Sequence, residues 1–348
     1  MKAHMMSGAL PLSAFQGLAR RAAGAGYAGL VVTEAGRTAY LSCAAAALAG
    51  VDLDLATGVA VAFARSPMVT ASAAWELAEV SNGRFRLGIG TQVRAHVERR
   101  YSSAFDRPGP RLREYVQALQ AIFRAFRGDE PLQYAGEFYN FSLLPTMWSP
   151  GAIPVPDPPI DVAAVNPWML RMAGSVADGV HVHPLNTTTY YEQTLIPSLR
   201  EGLAKRGREP ESFSLFVPLF TAPGDSEEER NAWREASRMM VAFYGSTPNY
   251  AFIFEQLGFP ETTARLRAAQ KTEGPAAMTK LIDDELLEHF VVAGTWDELP
   301  DRIVERFARL HDFDVNVVLY HAGAAARRRD DSYERLGEVA KRLAAMPG

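Results

Sequence analysis

A single cysteine, Cys43, rules out an intramolecular disulfide and a metal cage built of thiolates. It lies in the apolar stretch LSCAAAALAG, where a small buried thiol is expected. Charge of one sign is also lacking: 36 Lys and Arg stand against 40 Asp and Glu, a formal net charge of −4. That balance offers no electrostatic grip on nucleic acid or on acidic membranes. The basic runs near Arg99 and Arg328 are short, interleaved with acids, and read as solvated faces. No apolar run reaches the length of a membrane span, and the N-terminus has no charged segment leading into an apolar signal stretch. The expectation is a cytoplasmic protein that handles a small molecule, with no nucleic-acid and no membrane partner. A GxGxxG after the first strand is missing too; MMSGALP does not supply it, which argues against an open dinucleotide-binding sheet.

What is present is alternation, in a chain 48% hydrophobic and long enough for a large core. KAHMM, GLVVT, ATGVAVAF, RFRLGIG, PIDVAAV, GVHVHP, FSLFVPLF and DFDVNVVLY read as eight strands with helices between them. Pro218 inside the seventh predicts a bulge or an early end. The helix RLREYVQALQAIFRAF sets Leu112, Tyr115, Val116, Leu119, Ile122, Phe123 and Phe126 on one stripe, which is core packing. Ser66 before Pro67 is a helix entry with a side-chain cap. Two regions break the rhythm: residues 127–159, with the hairpin YAGEFYNF turning at Gly136, and residues 225–297, with helices and the loop YGSTPNY. Eight strands alternating with helices predict an α/β fold, a (β/α)8 TIM barrel with insertions at those places, forming one domain over 1–348.

Barrel sites lie at the C-terminal strand ends, which makes Ser7, Glu34, Phe63, Gly90 to Gln92, Ala164 to Asn166, His181, His183 and Tyr320 the candidates. The fourth strand is distinctive: Phe85, Leu87 and Ile89 alternate with Arg86, Gly88 and Gly90, then the chain turns polar at Thr91 and Gln92. Glycines there either ease barrel curvature or let the backbone approach something flat. Asn166–Pro167 opens a helix whose first N–H groups suit an anion, or is an ordinary capped barrel helix. His181 and His183 share a strand face and could ligate a metal. That reading wants further ligands, and only Glu34 is well placed, so no metal site is expected.

The pieces SPMVTASAAWELAEVSNGRFRLGIGTQ, HVERRY, DRPGPRLREYVQALQAIF, GEFYNF, AAVNPWMLRMAGSVADGVHVHP and GTWDELPDRI resemble, in order and spacing, the bacterial-luciferase-like superfamily. They are most similar to its actinobacterial branch of coenzyme F420-dependent oxidoreductases. The resemblance implies a deazaflavin ring lying across the barrel mouth, with FMN as the alternative cofactor. It implies a non-prolyl cis peptide at Gly58–Val59 or Val59–Ala60 against the ring. Cofactor contact is thereby expected at Gly58, Val59, Ala60, Phe63, Gly90, Thr91, Ala164, Val165, Asn166, Met169 and His181, with the cofactor phosphate at Ala164, Val165, Asn166 and Met169. Arg65, Arg94 and Arg171 are candidates for a polyglutamate tail.

The chain departs from the better-known deazaflavin sugar-phosphate dehydrogenases. Their histidine and glutamate fall roughly at Ala35 and Val93, so their alcohol-oxidation chemistry does not transfer. Glu34, Gln92, His96 and His183 are left as candidate catalytic residues. The expected function is hydride transfer between reduced deazaflavin and an organic substrate. Alternatives are an FMN-dependent monooxygenase, a metal-dependent barrel hydrolase and a non-catalytic flavin-binding protein. The resemblance also implies a homodimer, with LSCAAAALAG and residues 67–80 in or near the contact.

Overall fold

The computed structural model describes residues 1–8, 10–320 and 331–346. Eight parallel strands close a barrel: β1 Lys2–Ser7, β2 Gly29–Val32, β3 Asp54–Thr57, β4 Phe85–Gly90, β5 Ile160–Ala163, β6 Gly179–His181, β7 Ser214–Pro223 and β8 Asp314–Tyr320. Each pairs with its successor, and β8 closes on β1 with Asn316 beside Lys2 and Leu319 beside Met5. The fold is the TIM barrel the alternation predicts. The basic run near Arg328 lies outside the described residues.

The helices that follow the strands are α1 Leu12–Ala25, α2 Ala39–Ala47, α3 Pro67–Val80, α4 Pro108–Arg127, α5 Pro167–Val176, α6 Ile196–Arg206, α7 Leu299–Phe307 and α8 Ser332–Ala345. All seven members of the predicted α4 stripe are buried, each contributing about 1.5–3 kcal/mol of apolar transfer. Ser66 caps α3 by accepting from the Val69 N–H. Cys43 is buried in α2, and desolvation pushes its thiol far above the ordinary range, so it is inert packing.

Strand alternation divides β4. Phe85, Leu87 and Ile89 face the helices, whereas Arg86, Gly88 and Gly90 face the barrel axis. Around that axis Met6, Val31, Ala56, Phe216 and Val318 form a separate apolar cluster. Below it the interior is polar: Arg86 makes a two-pronged ion pair with Asp161 at 2.9 and 2.6 Å, and His4 meets Asn316 at 3.0 Å.

Two strand expectations need correction. Pro218 neither bulges nor ends β7, which runs on to Pro223. Toward β6, β7 is paired only as far as Phe216, and toward the extra strand Val291–Gly294 only from Phe220. Pro218 falls in the gap, where no ladder bond needs its missing N–H, and Asn186 Nδ2 donates to its carbonyl at 2.8 Å. The second correction is that extra strand itself: the sequence of the 225–297 insertion predicts helices and a loop, yet Val291–Gly294 extends the sheet parallel to the end of β7. The other insertion carries the predicted hairpin, Tyr134–Ala135 against Asn140–Phe141, with Gly136 N–H bonded to the Tyr139 carbonyl.

Candidate active site at the barrel mouth

The peptide Gly58–Val59 is cis, at the first of the two positions the resemblance implied. It interrupts β3, and the chain resumes at Ala60–Val61 beside Ile89 and Gly90. A Cβ built on Gly90 would lie 2.9 Å from Val59 Cγ2 and 3.2 Å from Ala163 Cβ. The ends of β3, β4 and β5 therefore meet closely around the bare Gly90 in a low floor. Gly88 serves a different purpose: a Cβ there would sit 2.0 Å from the Thr57 carbonyl oxygen and 2.4 Å from His181 Nε2. Its bareness makes room for the His181 ring.

His181 lies beneath that floor. It stacks on Phe216 at 4.8 Å, and its buried Nε2 has no hydrogen-bond partner among the described residues, with Asp161 Oδ2 at 4.0 Å. Desolvation outweighs the nearby carboxylate and pushes its pKa down to about 4. His183 leaves in another direction. Leu185 N–H donates to its Nδ1 at 3.1 Å, which puts the ring proton of the neutral form on Nε2. Burial pushes its pKa down to about 3. The two histidines thus answer to different partners, and among the described residues no group of three or more His, Cys, Asp or Glu is placed to hold a metal.

Glu34, at the end of β2, is already engaged. Arg65 donates to both of its oxygens at 2.6 and 3.0 Å, and the Val61 N–H donates to Oε2 at 2.7 Å. Arg65 also lies over the Tyr40 ring, so it is taken up locally and is not free for an acidic tail. Arg94 pairs with Glu98 at 2.6 Å and Arg171 lies 3.7 Å from Glu201. Thr91 hydroxyl donates to the Gln92 carbonyl, leaving it only lone pairs to offer. Gln92 has a left-handed backbone, φ 56°, and its side chain accepts from Val93 N–H. His96 is exposed on the short helix Arg94–Arg99. Phe63 is buried against Phe105, with the Arg111 guanidinium 4.6 Å above its ring. Ala60 and Ala164 are buried in the core around the mouth.

At the α5 entry the expected row of free amides is shorter than anticipated. Pro167 has no N–H, and Asn166 Oδ1 accepts from Met169 N–H at 3.0 Å. The Val165 carbonyl accepts from the Tyr190 hydroxyl. Sequence reasoning missed Arg111, Tyr244 and Tyr250. The last two come from the 225–297 insertion, and no periodicity links YGSTPNY to a strand end.

The closed parallel barrel defines the class, a (β/α)8 barrel with its candidate site at the C-terminal strand ends. The chain belongs to the luciferase-like monooxygenase family, which matches residues 2–312. It is 38% identical over 281 residues to an uncharacterised protein of Mycobacterium tuberculosis, covering 81% of this chain and 83% of that one. It is 29% identical over 290 residues to the 5,10-methylenetetrahydromethanopterin reductase of Archaeoglobus fulgidus, covering 81% of each. The solved coenzyme F420-dependent tetrahydromethanopterin reductase of Methanopyrus kandleri superimposes with a TM-score of 0.78, at 19% identity over 97% of each chain.

Proposed function

We propose that this protein is a coenzyme F420-dependent oxidoreductase that moves a hydride between the reduced deazaflavin and an organic substrate. The supporting observation is the floor formed by the cis Gly58–Val59 peptide, Gly90 and Ala163, joined to relatives that are reductases. Gly58, Val59 and Gly90 would lie against the ring. Ala164, Val165, Asn166 and Met169 would receive the phosphate, through backbone at a helix entry. When bound, the deazaflavin supplies the hydride; the protein positions it and keeps water off the reacting face. Glu34 acts through Arg65, fixing β2 to the Val61 segment, and we assign it positioning rather than proton transfer. His183 can donate one hydrogen bond from Nε2. Gln92 and His96 face solvent at the rim, and a role for either requires closure over bound substrate.

The family description favours a second reading, a monooxygenase, for which FMN is the alternative cofactor. Titrating the protein with F420 and with FMN separates the two. Deazaflavin should bind at least tenfold more tightly; equal or reversed affinities would promote the monooxygenase. We further propose a one-domain cytoplasmic enzyme acting as a homodimer through α2 and α3, where Leu41, Leu48 and Val69 stand exposed.

A further inference from the structure

On the β6–β8 side of the mouth four half-buried rings come together from distant parts of the chain. Tyr320 ends β8 on the same face as Val318 and Asn316, which line the barrel interior. His183 lies two residues beyond His181. The insertion adds Tyr244 from the last turn of its helix Glu227–Gly245, and Tyr250 from the turn Pro248–Tyr250. The His183 ring is 4.0 Å from that of Tyr250 and 5.0 Å, edge on, from that of Tyr244. The Tyr244 and Tyr320 hydroxyls are 2.8 Å apart. One of them donates to the other, so the acceptor keeps a proton to give outward.

Among the described residues no charged side chain shifts the titration of this cluster. Burial, or another member of the four, accounts for every shift in their titration: His183 is pushed down to about 3 and the three tyrosines are raised. Two described cations of the mouth stand on the opposite side, with Arg65 on Glu34 and Arg111 over Phe63. An anionic ligand on the β6–β8 side would leave water with no counter-charge among the described residues. An uncharged ring system would exchange water for aromatic faces.

We propose that the substrate taken here is an uncharged aromatic or polycyclic molecule bearing one hydrogen-bond-accepting oxygen. His183 and Tyr250 form the wall its ring lies on, and the Tyr244–Tyr320 hydroxyl pair or His183 Nε2–H meets its oxygen. A sugar phosphate or an acid is thereby disfavoured. The inference rests on the mouth being the active site, as proposed above.

The test uses probes of one size: 2-acetylnaphthalene, which is neutral with a carbonyl, 2-naphthoate, which is anionic, and naphthalene. Binding to the full-length protein is followed by calorimetry, with F420 affinity measured on the same preparation. The ketone should bind at least tenfold more tightly than the carboxylate. Tyr320→Phe should weaken the ketone about threefold to tenfold and leave naphthalene unchanged, and Tyr250→Ala should weaken both, with circular dichroism reporting folded variants. Carboxylate binding equal to or tighter than ketone binding overturns the proposal, as does no ketone binding or an equal loss of ketone and naphthalene in Tyr320→Phe. If F420 binds while the probes are not discriminated, the substrate assignment falls and the oxidoreductase reading stands. If the probes behave as expected while F420 does not bind, the substrate assignment stands and the cofactor reading falls.

Discussion

Gly88 and Gly90 are two residues apart on one strand face, yet their missing side chains do different work. At Gly88 an added Cβ meets the Thr57 backbone oxygen at 2.0 Å, which cannot move without displacing β3. Gly88→Ala should cost stability at or above the upper end of about 1–3 kcal/mol, read by denaturant unfolding. At Gly90 the neighbours are the side-chain carbons of Val59 and Ala163. Gly90→Ala should fold, with a thermal midpoint within a few degrees of the parent, and bind F420 at least tenfold more weakly; a folded variant of unchanged affinity would refute the ring floor. The Glu34–Arg65 pair supplies a second test. Removing one member of a mostly buried ion pair leaves an uncompensated charge, so Arg65→Met should cost about 3–5 kcal/mol. The double variant Glu34→Gln/Arg65→Met should recover most of that loss, because no lone charge remains. Equal losses in the single and double variants would mean the pair adds nothing beyond packing.

Elements were legible where one local rule governed them. The α4 stripe, the Ser66 cap and the Gly136 hairpin each follow from spacing or from one residue's chemistry, and each stands as read. Pro218 was misread because its consequence depends on which edge of β7 is paired, and that is set by strands far away in sequence. Val291–Gly294 was missed because four apolar residues between helices carry no period that separates strand from helix. The mouth divides likewise. The cis peptide and Asn166 were reached through resemblance and cap chemistry. The packing of Tyr244 and Tyr250 around His183 needed contacts no local pattern encodes. Asn166 carries the prediction at this scale: Asn166→Ala removes the cap of α5 and should cost about 1 kcal/mol, within a range of roughly 0.5–2. Equilibrium unfolding measures it, and a neutral result would mean Met169 N–H is satisfied in another way.

For the molecule as a whole, the buried histidines set its response to acid. His181 and His183 titrate near 4 and 3 in the fold against an ordinary 6.5, and His4 is also lowered by burial. As pH falls, the unfolded chain therefore takes up these protons first. The contributions of His181 and His183 are whole above about 6.5 and are lost as pH falls from there toward 4 for His181 and toward 3 for His183, by up to about 1.4 kcal/mol per pH unit for each. Unfolding midpoints between pH 7 and 5 should show that slope, and His181→Gln should flatten it by one proton's share. An unchanged slope would remove His181 from the account. Assembly is tested by sedimentation: Leu41→Glu with Leu48→Glu should turn the proposed dimer into a monomer, and a parent protein already monomeric at every concentration would refute the dimer.

Barrel closure also orders events in time. The last seam joins Lys2–Met5 to Asn316–Leu319, residues more than three hundred positions apart. During synthesis β1 emerges before the other seven strands and waits with one edge unpaired until all of them have followed. Half of the amide ladder of that first strand belongs to a partner made last, so contacts of such long range weigh toward slow folding. Until β8 arrives, β1 and β7 both expose bare edges that invite pairing with other nascent chains. A ribosome stalled before Asp314 would leave Tyr320 at the barrel mouth unmade and the barrel an open, adhesive sheet.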